Sequence, residues 1–185
     1  MRLTIFIICF CFFSLFAFAS GSSLNLRRYQ PVSMLENEIY QQIDKRIWPD
    51  DVRNNIEKYK KSKIAWVGVV EEFMTDFTNP EYNLIRFYLK HHYYNWMENL
   101  EPQRKPIDLS TIGEGYFVCY YILGKETDSE DIAKDFVGEV IINYGSPIGI
   151  LENNAIEMST DYLRIIDKEY VRFGGAYERN GPSYQ

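Results

Sequence analysis

Three rhythms of apolar residues divide the chain. The first is a four-residue beat: Leu35, Ile39, Ile43 and Ile47 recur behind Ser33 and Glu36, which have capping-box spacing. It predicts an amphipathic helix that stops near Trp48-Pro49. Pro49 suits the first turn of a second helix, with Asp50 and Asp51 at its positive end and Val52, Ile56 and Tyr59 inward. Lys58, Lys60, Lys61 and Lys63 crowd its far end, where cations complement the helix dipole and aid solubility.

The second rhythm is that of strands. Ile64 to Val70 is apolar throughout, and residues 76–82, with Asn79-Pro80, read as a turn. Asn83 to Met97 reads as a long strand, with a helix as the alternative. As a strand it sets Ile85, Phe87, Leu89, His91 and Tyr93 on one face, and Arg86, Tyr88, Lys90, His92, Tyr94 and Trp96 on the other. A polar loop covers 98–106, and Gly113 to Gly115 opens a strand running through Leu123. A short helix follows from Thr127, with Ile132, Ala133, Phe136 and Val137 apolar and acids at its start. Val140 to Ile142 is a short apolar run broken by Gly145-Ser146-Pro147. Pro147 has no amide to donate, which suits a sheet edge, a bulge or a barrel corner. Ile148 to Leu151 is apolar again. Ile156, Met158, Thr160 and Tyr162 then alternate with polar residues, the period of a half-buried strand. Leu163 to Phe173 continues that strand or folds back as a hairpin.

This order predicts a mainly β (α+β) fold: a small OB-like β-barrel preceded by N-terminal helices. A bent sheet closing on itself buries short strands and leaves few edges, and a helix between the third and fourth strands is the OB arrangement.

The third rhythm is unbroken. After Met1-Arg2 the chain is apolar from Ile5 to Phe18 apart from Ser14, and Ala17-Phe18-Ala19 offers small residues for cleavage. The run is shorter than a spanning helix needs. We therefore expect a signal peptide over 1–19, a linker over 20–32, helices over 33–63, a β-barrel domain over 64–173 and a flexible tail over 174–185. Export places the protein in the periplasm or outside the cell, with no transmembrane helix once the signal is removed. The mature chain would carry 19 basic and 26 acidic side chains, a net charge of −7. Phosphate backbones would be repelled on average, so nucleic acid is not an expected partner. Cys119 becomes the only cysteine, within the apolar run Gly115 to Gly124, and is expected to be a buried thiol.

The chemistry of catalysis is thinly represented. His91 and His92 are neighbours that point apart on a strand, so no metal site and no cofactor are expected. Glu71-Glu72, Asp50-Asp51 and Asp135/Glu139 offer paired carboxylates, the alternative reading being a hydrolase of envelope polysaccharide. In an acidic chain such pairs are ordinary solvated surface. Aromatics carry more information: 15 Tyr, 12 Phe and 3 Trp make up 16% of the chain. Tyrosine suits surfaces that are apolar on one side and wet on the other. The binding surface is therefore expected on Arg86, Tyr88, Lys90, His92, Tyr94 and Trp96, with an envelope protein or polysaccharide as partner and no catalysis.

Three segments carry a resemblance: Ile64-Ala-Trp-Val-Gly-Val-Val70, Gly115-Tyr-Phe117, and Tyr144-Gly145 leading to Ile148-Gly149. They resemble the strand signatures of bacterial OB-like envelope proteins, notably the starvation-inducible outer-membrane lipoprotein family. The resemblance implies an envelope location and a non-catalytic role. It does not extend to lipid anchoring, because Ser20, not a cysteine, stands just after Ala19.

Overall fold

The two apolar strand segments at 64–70 and 140–145 lie side by side within a seven-stranded sheet. The computed structural model describes Tyr29 and residues 31–94, 107–126 and 129–175. The segments expected to be signal peptide and 98–106 loop, nearly all of the expected linker, Trp96 and the tail beyond Gly175 lie outside the described residues.

Among the described residues three short helices come first: α1 (Met34–Tyr40), α2 (Pro49–Asn54) and α3 (Ile56–Tyr59). Four strands follow, β1 (Ile64–Asp76), β2 (Tyr82–His92), β3 (Ile107–Ser110) and β4 (Tyr116–Gly124). Helix α4 (Ser129–Asp135) leads to β5 (Val140–Gly145), β6 (Pro147–Ile150), β7 (Ile156–Met158), β8 (Tyr162–Ile166) and β9 (Val171–Gly175). The fold is mainly β. The strand order is β6-β7-β4-β2-β1-β5-β8, and β3 and β9 form a separate parallel pair.

That order forces curvature. Ser146 alone joins β5 to β6, yet four strands lie between them in the sheet. Laid flat, those five steps would cover about 24 Å, at ~4.8 Å per strand. A single residue spans under ~4 Å. The sheet therefore curls until its far side approaches β5. The hairpin legs stay bonded through the bend: Ser159 N donates to Ser146 O at 2.8 Å, and Asp161 N to Tyr144 O at 2.8 Å. Gly145 is required there, since a Cβ would sit 1.9 Å from Ser159 O. Pro147, without an amide, starts β6 just past the corner.

Each face of β1 buries a different core. Ile64, Trp66 and Val70 point inward with Phe87, Leu89, Phe117, Ile141 and Met158. Ala65 and Val67 point outward beside Tyr144 and Ile142 of β5, in a cluster with Tyr40, Ile43, Tyr94 and Leu109. Strands covered on both faces lose in–out alternation, which explains the continuous apolar runs in β1 and β5. Gly68 faces inward, where a Cβ would lie 2.8 Å from Leu89 Cβ and from Phe117 Cε1. Gly68 is thus a point of close approach of β1 to its neighbours. Cys119 is buried, and burial pushes its thiol pKa up.

The N-terminal helices differ from expectation. The Ser33 Oγ accepts from Glu36 N at 3.0 Å as its spacing implied, but α1 ends at Tyr40, and Ile43 and Ile47 are buried from irregular chain. Leu35 is exposed while Glu36 is wholly buried. The Glu36 carboxylate explains the rotated face. Its Oε1 accepts from Tyr29 OH at 2.5 Å and Tyr144 OH at 2.7 Å, and its Oε2 from Val32 N at 2.6 Å. Arg164 Nη1 lies 3.6 Å from Oε1. Burying this charge is tolerable only with such donors around it. The second helix begins at Pro49 as expected, and Asp51 Oδ2 accepts from Trp48 N at 3.1 Å. The β3–β9 pair was not foreseen; β9 begins in the 163–173 segment expected to be a strand extension or hairpin and ends at Gly175, within the segment expected to be a flexible tail.

Candidate functional site

Strand β2 (Tyr82–His92) is the first part of the strand that the alternation in 83–97 implied, and its register fixes what surrounds each outward residue. Antiparallel partners share a face, so the outer surface of β1, β2, β4 and β7 can be read in rows. Asp76, Leu84 and Ile122 form the first row, and Met74, Arg86 and Tyr120 the second. The third comprises Glu72, Tyr88, Val118 and Glu157; the fourth, Val69, Lys90 and Tyr116. An irregularity between Val70 and Glu72 places Glu71 beside the last two rows.

The expected six-residue face divides in two. Arg86 and Tyr88 are half-buried and Lys90 is exposed. His92 and Tyr94 are buried, 6% and 3% exposed, which corrects the expectation that they stand on the surface. The cause is packing from two directions. His92 Nδ1 donates to Ser110 O of β3 at 2.8 Å, and its ring lies 5.0 Å from that of Phe173 on β9. Tyr94 bridges to Leu109, and its ring meets Tyr29 edge-on at 5.9 Å. Trp96, the sixth member, lies outside the described residues.

On the open half the tyrosines are held by charged side chains. Tyr120 OH donates to Glu157 Oε1, and burial together with that carboxylate pushes the phenol pKa up to about 12. The Arg86 guanidinium sits 5.5 Å from the Tyr120 ring centroid, a cation–π distance, and also bonds Tyr88. The Tyr116 hydroxyl bonds Glu71, which raises its pKa, and 42% of Tyr116 remains exposed. Beyond these rings Met74 and Ile122 are 56% and 62% exposed. Val118, between the tyrosines, is fully buried by them. Tyr116, Tyr120 and Glu157 escaped the sequence reading. The alternation of Tyr116, Val118, Tyr120 and Ile122 with Phe117, Cys119 and Tyr121 was available, but apolar residues on both sides hid which set faces out.

Other candidate groups are engaged structurally. Asp50 Oδ1 accepts from Arg53 Nη1 at 2.5 Å, Asp51 caps α2, and Glu139 accepts from Lys168 N at 3.0 Å. Glu71 and Glu72 are exposed at the edge of the open face on β1, whereas Asp50 and Asp51 belong to α2. The three carboxylate pairs therefore sit on separate elements. Lys58 donates to Tyr59 OH at 3.0 Å, Lys60 pairs with Glu57 at 2.5 Å, and Lys63 with Asp161 at 2.5 Å.

His91 points inward, opposite His92. Its Nδ1 accepts from Glu114 N at 3.1 Å, and the rings of Trp48, Trp66, Tyr93 and Phe117 surround it at 5.1–6.5 Å. Burial, followed by the charges of His92 and Arg53, lowers its pKa to about 3. His91 is therefore a neutral core residue at physiological pH. Among the described residues no group of three or more His, Cys, Asp or Glu could hold a metal ion. No helix there is long and apolar enough to cross a membrane.

No protein-family model matches the chain, and no curated protein matches it in sequence.

Proposed function

We propose that the protein is an exported, non-catalytic binding protein of the cell envelope, built on an OB-like barrel. Its working surface is the open half of the outer face, on β2 and β4, and its partner is an envelope protein or polysaccharide. The barrel reading is supported by three features: the β1-β2-β4 meander, the parallel pairing of β4 with β7, and the hairpin whose bent leg belongs to both β5 and β6. Helix α4, between β4 and β5, occupies the OB position. Export and envelope location rest on the N-terminal apolar run and the strand-motif resemblance.

One observation carries the functional reading. Most of the outer face is packed under α1, β3 and β9, yet the rows from Arg86 to Lys90 are open and carry tyrosines fixed by charged neighbours. A ring already held in place loses little freedom on binding, which favours affinity. Titrating the ¹⁵N-labelled exported protein with solubilised envelope extract tests this. Shifts confined to residues 86–90 and 116–120 are expected. Shifts that cluster elsewhere would contradict the assignment.

A further inference from the structure

The open face has a charge pattern that selects among partners. Arg86 and Lys90 supply two cations, interleaved row by row with the carboxylates of Asp76, Glu72 and Glu157, and Glu71 lies beside the last two rows. A polyanion would meet the carboxylates that flank each cation, and a polycation would bring like charge onto Arg86 and Lys90. A second copy of the face fares no better. Docked about a two-fold along the strands it opposes Glu72 with Glu157; about one across them it opposes Arg86 with Lys90. Like charges in contact suppress such docking. A neutral ligand rich in hydroxyls uses both signs at once, because each hydroxyl donates to a carboxylate or accepts from a cation.

The aromatic groups supply the other half of the recognition. Tyr120, Tyr88 and Tyr116 step diagonally from row to row, with about 7–8 Å between successive Cα positions. Arg86 covers the ring of Tyr120, so a ligand meets the guanidinium plane there and the phenol rings of Tyr88 and Tyr116 further on. Apolar C–H faces can pack on these flat groups while the hydroxyl edges reach the charges. Rings whose hydroxyls are tied to Glu157, Arg86 and Glu71 are oriented before the ligand arrives.

We infer that the ligand is a neutral, linear glycan lying along β2 and β4, from the Arg86–Tyr120 step past Tyr88 to Tyr116. The inference rests on the binding-surface reading above and adds the chemical class of the ligand. Isothermal titration and amide-shift mapping of the exported protein would test it, with chitotetraose, cellotetraose and maltotetraose as neutral probes. Tetragalacturonate and tetralysine are the charged comparisons. At least one neutral tetrasaccharide is expected to shift residues 86–90 and 116–120. The Tyr88→Ser/Tyr116→Ser double variant should weaken it by at least about tenfold, whereas Tyr88→Phe/Tyr116→Phe, which keeps both rings, should stay within about threefold. Tighter binding of tetragalacturonate or tetralysine at these residues would overturn the glycan class and leave the surface assignment standing. Silence from all three neutral probes would also overturn it, and the envelope-extract titration then judges the surface independently. If only the protein fraction of that extract shifts these residues, the partner is a protein and the glycan inference is wrong.

Discussion

The outer face of β2 is one strand face with two fates. Arg86, Tyr88 and Lys90 stand open, while His92 and Tyr94, the next two outward residues, are core. Both halves mix aromatic with basic side chains, so composition does not distinguish them. What differs is what the rest of the chain lays on top. Tyr29, α1, β3 and β9 cover the His92–Tyr94 end and build a second apolar cluster there. The described residues lay no helix or second sheet over the Arg86 end. A polar–aromatic strand face is thus a surface or a core according to long-range packing, and only the uncovered half is available for binding.

Replacing one tyrosine from each half should break the symmetry most sharply. Tyr94→Ala removes a buried ring and should cost about 3–5 kcal/mol, the usual range for deleting a core aromatic. Tyr88→Ala should cost under about 1 kcal/mol, as surface changes do. Urea unfolding of the two variants measures the difference, and equal losses would mean that both halves are core.

The covering layer itself is held by the Glu36 cluster. Arg164→Ala would leave the fully buried Glu36 without its counter-charge and should destabilise by about 3 kcal/mol. Adding Glu36→Gln should restore part of that loss. A neutral single variant would show that the two tyrosine hydroxyls and Val32 N suffice.

Beneath both halves, Gly68→Val would press a side chain onto Leu89 and Phe117 and should cost at least about 1–3 kcal/mol through overpacking. An unchanged melting temperature would mean that β1 can move away.

A pH slope is expected from the inward face. His91 has a folded pKa lowered to about 3, against about 6.5 when unfolded. Above the unfolded value neither state is protonated there and its contribution is complete. As pH falls from about 6.5 toward 3, the unfolded chain takes up a proton that the folded one refuses. Stability should therefore decline by up to about 1.4 kcal/mol per pH unit from this group. His91→Gln, which retains an acceptor for Glu114 N, should flatten that part of the profile. Identical pH profiles for the two proteins would refute the buried, neutral assignment.

Much of the strand framework was legible because its causes are local. Proline at 147 and glycine at 145 marked the corner, the alternation in 83–97 marked β2, and Pro49 with Asp50 and Asp51 marked α2. The end of α1 was not legible, because Ile43 and Ile47 keep the helical beat while packing from irregular chain. Nor was the covering of His92 and Tyr94, which depends on β3 and β9, over 60 residues apart in the chain. Three of the six expected site residues are open and two are core. Tyr116, Tyr120 and Glu157 join the site only through strand register. Strand pairing over such distances is set by the whole sheet and leaves no mark in a local window.

The central claim is that the open half binds and the covered half supports. Its most direct test compares Tyr88→Ser/Tyr116→Ser with Tyr94→Ser, measuring melting temperature and envelope-ligand affinity on each protein. The account predicts that the double variant melts within a few degrees of the parent and loses at least about tenfold in affinity, while Tyr94→Ser melts far lower. A double variant that binds normally, or that unfolds as readily as Tyr94→Ser, would contradict it.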